Sequence, residues 1–143
     1  MENLMIETLK TLHFVSLWAA GGIGAGGWII QYVLAKNGAR PSLELVQSMR
    51  LMGLLALVSI VTLWATGYSM AMLIYGALPS ATAFHIKLLA AALVLLGSIG
   101  TNLETLRSMR AGTPPRAALM NTLVWIVRGS LIVVLVMTAI SFS

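Results

Sequence analysis

Apolar residues fill four long stretches of the chain, and charged or turn-forming residues separate them. The stretches run from about 11 to 35, 51 to 75, 83 to 103 and 118 to 140. A membrane-spanning helix needs about 20 mostly apolar residues, so each stretch can cross a bilayer. Gly76 and Pro79 predict a turn after the second stretch, and Gly112–Pro115 predicts a break before the fourth. The pattern predicts an all-α integral membrane protein, with residues 1–143 forming one four-transmembrane-helix bundle.

The composition also indicates a lipid environment. Of the 143 residues, 59% are hydrophobic and 9% are charged, whereas a typical soluble domain is about 25% charged. A domain of this size leaves about a third of its chain surface exposed, so much of the apolar surface must face lipid. The chain has no cysteine and no aspartate. Disulfides, thiolate metal sites, iron–sulfur clusters and aspartate-centred triads are therefore excluded.

The positive charges predict the orientation of the helices. The loops after the first and third stretches carry Lys36, Arg40, Arg50, Arg107, Arg110 and Arg116, and the loop after the second carries no charge. Lys and Arg collect on the cytoplasmic side of membrane proteins. Both termini are therefore expected on the outer, periplasmic side of a bacterial inner membrane. The net charge of +5 is explained by this topology, and no nucleic-acid partner is expected.

Two histidines are the first candidates for chemistry. His13 opens the first stretch and His85 opens the third, and these two stretches run in the same direction. We expect both imidazoles at the outer end of the membrane, where the second stretch also brings Met70 and Met72. Imidazole and thioether bind haem iron or copper. The alternative is that the histidines are interfacial polar groups and the methionines fill the core.

Two cations within the apolar stretches are candidates for a substrate or cofactor contact. Lys87 would either extend to the outer headgroups or pair with a haem propionate or an anionic substrate. Arg128 lies in the fourth stretch, about two turns beyond Asn121, and a charge there is costly. We expect Arg128 to lie near Asn102 or Glu104, either as a structural ion pair or as an anion contact.

The first stretch is also rich in glycine. It contains Gly21, Gly22, Gly24, Gly26 and Gly27. Small residues let a neighbouring helix, or a flat ligand such as a porphyrin, approach the backbone closely. The cluster therefore predicts either helix packing or a porphyrin-facing surface.

Four short motifs resemble those of a known group of membrane proteins. They are Thr11-Leu12-His13 followed by Trp18, Arg50-Leu51-Met52 leading to Thr66-Gly67-Tyr68, Phe84-His85-Ile86-Lys87-Leu88-Leu89, and the Arg107–Arg116 segment before Leu119-Met120-Asn121. The chain resembles the four-helix, haem-dependent protoporphyrinogen oxidases of the HemJ type and the membrane domain of CopD-like copper-resistance proteins. The resemblance implies an axial haem ligand at His13 and a functional lysine at Lys87.

These observations lead to three functional hypotheses. The first is a b-type haem protein that transfers electrons or oxidises a porphyrinogen or quinol, with Trp18, Gly24 and Tyr68 beside the cofactor. Any enzymatic activity would then be that of an oxidoreductase similar to protoporphyrinogen oxidase. The second is a copper-handling protein or small-solute transporter that uses the same His and Met residues. The third is a structural or assembly subunit of a respiratory complex, without a cofactor. All three are compatible with a homo-oligomer or a larger membrane assembly.

Overall fold

Four long α-helices make up the structure, a computed structural model that describes residues 1–141. They are α1 (Glu2–Asn37), α2 (Leu43–Tyr75), α3 (Thr82–Ala111) and α4 (Ala117–Ser141). The part of the chain described contains no β-strand. All four helices are long and apolar enough to cross a membrane. The predicted all-α fold with four membrane-spanning helices is confirmed, and the chain is a multi-pass membrane protein; the outer placement of both termini stays a prediction.

The helices extend well beyond the apolar stretches that predict them. The 36 residues of α1 correspond to about 54 Å of helix, whereas the hydrocarbon core is about 30 Å thick. Hydropathy marks only the part within lipid, and the flanking Glu, Lys, Gln and Arg residues are good helix formers that continue the helix into water. α1 and α3 end at Gly38 and Gly112, whose φ angles of 57° and 65° favour glycine.

The chain divides into two compact units, of which the first is Met1–Met70. It contains α1 and most of α2, and two contacts define their pairing. His13 contacts Thr66 and Gly67, and a β-carbon built on Gly26 would lie 3.7 Å from Met52 Cε. From the first contact to the second, the residue number rises along α1, from 13 to 26, and falls along α2, from 66 to 52. The two helices are therefore antiparallel.

The second unit begins at Ala71 and contains α3 and α4. The buried residues of α3 share one helix face, with spacings of three, four and seven positions, and most are small: Ala90, Val94, Gly97, Ser98, Glu104 and Ser108. In lipid, helices associate mainly by close packing, and small residues allow their backbones to approach. A β-carbon built on Gly97 would lie 2.5 Å from Val127 Cγ2 of α4. Of the glycines in α3, Gly97 leaves the least room for a side chain against α4.

Candidate functional site

His13 is held against α2 by a hydrogen bond. Its Nδ1 lies 2.9 Å from Thr66 Oγ1. The histidine is half-buried, and Thr66 is only 3% exposed. A polar pair between membrane helices commonly links them, and the gain is modest, about 0.6 kcal/mol on average. The bond also affects which nitrogen of the His13 ring carries its hydrogen. That depends on the direction of the Thr66 hydroxyl hydrogen.

The Thr66 hydroxyl has one hydrogen, and the backbone of its own helix takes it. Thr66 Oγ1 lies 2.7 Å from the carbonyl oxygen of Thr62 and 3.2 Å from that of Leu63. A hydroxyl offers one donor and two acceptor lone pairs, so Thr66 Oγ1 can accept a hydrogen bond from His13 while it donates to its own backbone. In the tautomer that makes this bond, the hydrogen of a neutral His13 lies on Nδ1 and the lone pair on Nε2. Metal-binding histidines typically have this arrangement, with the second ring nitrogen donating to a fixed acceptor.

Gly67 allows the His13 ring to lie close to the α2 backbone. A β-carbon built on Gly67 would lie 3.4 Å from His13 Cε1 and 3.9 Å from its Nδ1. The first distance is at the short end of ordinary van der Waals contact, so alanine would just fit, and a bulkier side chain directed at the ring would displace it. The Thr66-Gly67 pair therefore positions His13 in two ways, with Thr66 providing the acceptor and Gly67 the space. This pair lies in one of the motifs that carry the resemblance.

The other predicted residues of the first unit differ in their surroundings. Met70 is half-buried and follows Thr66 by one helical turn, so it lies on the same face of α2. Trp18 and Tyr68 are 79% and 54% exposed. A β-carbon built on Gly24 would meet no described atom within 4 Å. Of the first-unit candidates, the contacts described bring His13 together with Thr66 and Gly67, and the cofactor roles of the others stay predictions.

The remaining candidates belong to the second unit. His85 is exposed, and its ring meets the edge of neighbouring Phe84 at a centroid distance of 6.2 Å. Lys87 is half-buried and Met72 is 40% exposed. Among residues 1–141, no three His, Asp or Glu side chains converge as a metal site. A porphyrin brings four nitrogen ligands of its own, so a haem requires only one or two side chains from the protein.

Glu104 forms a polar cluster whose partners the sequence analysis did not identify. The carboxylate is 3% exposed. It accepts from Arg107 Nη2 at 2.7 Å, from Arg116 Nη2 at 2.8 Å and from the Arg116 backbone N–H at 2.9 Å. The Arg116 carbonyl accepts the first backbone bond of α4, from Met120. Glu104 therefore joins the end of α3 to the start of α4, where a helix dipole favours negative charge.

Arg128 was expected beside Asn102 or Glu104; the Asn102 placement stays a prediction, and the ion pairs described for Glu104 are with other arginines. Its two ion pairs in the part of the chain described are with Arg107 and Arg116, whereas Arg128 Cζ lies 6.0 Å from the centre of the Trp125 ring on its own helix. The short loop returns Arg116 to the end of α3, which explains the difference. Hydrogen bonds to Glu104 raise the pKa of the Arg116 guanidinium above its ordinary value. The sequence feature that could have indicated these ion pairs is that Glu104 is the only acidic residue after Glu44.

Comparison with known proteins adds no further assignment. No family model, curated protein or solved structure matches this chain. The interpretation of the site therefore rests on the motifs quoted above and on the geometry of His13.

Proposed function

We propose that the protein binds haem b within the bilayer, with His13 as an axial ligand. The observation that supports this proposal is the Thr66 hydroxyl, which lies 2.9 Å from His13 Nδ1 and can accept its hydrogen because it donates to the Thr62 carbonyl. Only a lone pair can bind iron, and a fixed acceptor at the other nitrogen orients the ring and raises its basicity. The residues present thus fit a haem ligand.

Within the unit that holds His13, the candidate for the second axial position is Met70, whereas Met72 and His85 stay candidates from the sequence alone. Met70 lies on the same face of α2 as Thr66, and a Met/His pair would raise the reduction potential relative to two histidines. Lys87 and Arg128, the two half-buried cations of the second unit, are suited to a haem propionate or an anionic substrate. With haem bound, the protein would carry electrons or oxidise a porphyrinogen or quinol at the outer side of a bacterial inner membrane.

The test is an absorption spectrum of detergent-purified protein from haem-replete cells, oxidised and then reduced with dithionite. We expect a Soret band and sharp reduced α and β bands, which His13→Ala abolishes while the helical circular dichroism is retained. A featureless visible spectrum, together with no saturable hemin binding on titration, would overturn the proposal. Copper in such a protein would instead favour the metal-handling alternative.

A second pair of variants separates a ligand from a helix-packing contact. Thr66→Val keeps the shape of residue 66 but removes the acceptor for His13 Nδ1. Loss of such a partner typically weakens metal binding by about 10–100-fold, so we expect weaker hemin binding in a titration. The control is Thr62→Val, whose hydroxyl bonds to Val58 of its own helix at 2.9 Å. Equal hemin affinity in both variants would indicate that Thr66 only joins the helices.

A further inference from the structure

One face of α3 changes from apolar to cationic near its end. Leu96, Leu103 and Leu106 are exposed on this face, and Arg107 and Arg110 follow at helical spacing. An open depression is lined by Leu103, Leu106, Arg107, Arg110 and Ala111. The depression therefore combines a leucine half and an arginine half along one helix.

The length of α3 places this change at the edge of the hydrocarbon. Its 30 residues correspond to about 45 Å of helix, which exceeds the roughly 30 Å of a bilayer core. The apolar stretch ends at about residue 103, so the length and composition of α3 predict that the arginines reach the level of the lipid headgroups. Leu103 and Leu106 then face the outermost part of the acyl chains.

The charges of this segment are only partly balanced. The residues from 104 to 116 include three arginines and one acid, Glu104. Glu104 binds Arg107 through Nε and Nη2 and also binds Arg116. Arg110 takes part in no ion pair described between residues 1 and 141. The depression is therefore net positive, and Arg110 and Arg107 Nη1 can donate to an added anion.

We propose that this depression binds an anionic phospholipid, with its phosphate on Arg107 and Arg110 and an acyl chain along Leu103 and Leu106. Charge complementarity requires the anion, and the adjoining leucines favour a ligand with an apolar chain over a free phosphate. Basic pockets at the cytoplasmic side of membrane helices are known to bind such headgroups. The site does not depend on the proposed haem function.

The test is native mass spectrometry of the detergent-purified chain titrated with phosphatidylglycerol or phosphatidylcholine of the same acyl composition. We expect tighter binding of phosphatidylglycerol. Each basic residue near an anionic surface contributes about 1 kcal/mol, so Arg110→Gln should weaken phosphatidylglycerol binding about fivefold. Phosphatidylcholine binding should not change.

The matched control is Arg40→Gln, which removes one exposed arginine from the α1–α2 loop and lies outside the depression. We expect it to leave lipid preference unchanged, because it alters the net charge equally but not the site. An equal effect of the two variants, or equal binding of both lipids, would overturn the proposal. If millimolar inorganic phosphate displaced phosphatidylglycerol completely, and Leu106→Ser left phosphatidylglycerol binding unchanged, the depression would instead be assigned to a soluble anion.

Discussion

Replacing Gly97 with alanine tests whether close packing joins α3 to α4. The new β-carbon would lie 2.5 Å from Val127 Cγ2, 3.8 Å from Val127 Cβ and 3.5 Å from the Leu123 carbonyl oxygen. Carbon atoms in contact are normally about 3.5–4.0 Å apart, so the first distance is about 1 Å too short. A valine in a helix occupies one rotamer about 90% of the time. The methyl group therefore cannot turn away cheaply, and the two helices must separate.

The expected magnitude is the difference between two opposing effects. Overpacking a close contact costs about 1–3 kcal/mol. Alanine is a better helix former than glycine by about 1 kcal/mol. Gly97→Ala should therefore destabilise the protein by about 0–2 kcal/mol, a range too wide to interpret without a reference.

Gly129→Ala provides that reference because a β-carbon built there would meet no described atom within 4 Å. It gains the same helix propensity without the clash, so the propensity term cancels between the two variants. Gly97→Ala should be the less stable by about 1–3 kcal/mol. The assay is reversible unfolding in mixed micelles with increasing sodium dodecyl sulfate, followed by circular dichroism.

A double-mutant cycle identifies the clashing partner. Val127→Ala removes Cγ2, so it should recover stability in the Gly97→Ala background although it costs stability alone. Neighbouring residues give interaction energies of about 0.5–3 kcal/mol in such cycles. Equal stability of Gly97→Ala and Gly129→Ala, or additive effects in the cycle, would refute the inferred α3–α4 contact.

Two further variants probe the polar cluster and the His13 environment. Glu104→Ala should lower the melting temperature more than Arg116→Gln, because it removes the acceptor for both arginines and for the Arg116 N–H; equal shifts in a thermal melt would contradict the central role of Glu104. Gly67→Leu should weaken hemin binding in a titration, because a β-carbon alone would already lie 3.4 Å from His13 Cε1. Hemin binding as tight as in the unaltered protein would indicate that the ring does not need the space beside Gly67.

The sequence predicts the helices better than their ends or their contacts. Hydropathy locates the membrane-spanning segments, because the transfer of apolar side chains from water into lipid determines which segments cross the bilayer. It does not locate the start of α1 at Glu2 or the end of α3 at Ala111, because charged helix formers continue a helix in water as well. The left-handed Gly38 and Gly112 end their helices, and only Gly112 lies in a segment that the sequence analysis marked as a break.

Contacts between helices are the harder problem because hydropathy does not specify rotation about the helix axis. Arg128 was expected beside Asn102 or Glu104, since a charge in an apolar stretch needs a partner. The ion pairs of Glu104 were decided by chain connectivity, because the short α3–α4 loop brings Arg116 back to the end of α3. The ring of Trp125, one turn earlier on α4, lies beside Arg128 at 6.0 Å. A search for the nearest opposite charge along the chain would have found Arg107 but would have ranked Arg110 before Arg116.

The two histidines show how a neighbouring helix changes the interpretation of a residue. In the sequence they are equivalent, since each opens a stretch that runs in the same direction. In the structure, His13 is half-buried and faces a threonine whose hydrogen is committed to its own backbone, whereas His85 is exposed. An axial ligand needs an oriented ring, and the contact with Thr66 orients the ring of His13. If a haem in this protein has one histidine ligand, that ligand should be His13, and His13→Ala should abolish a Soret band that His85→Ala retains.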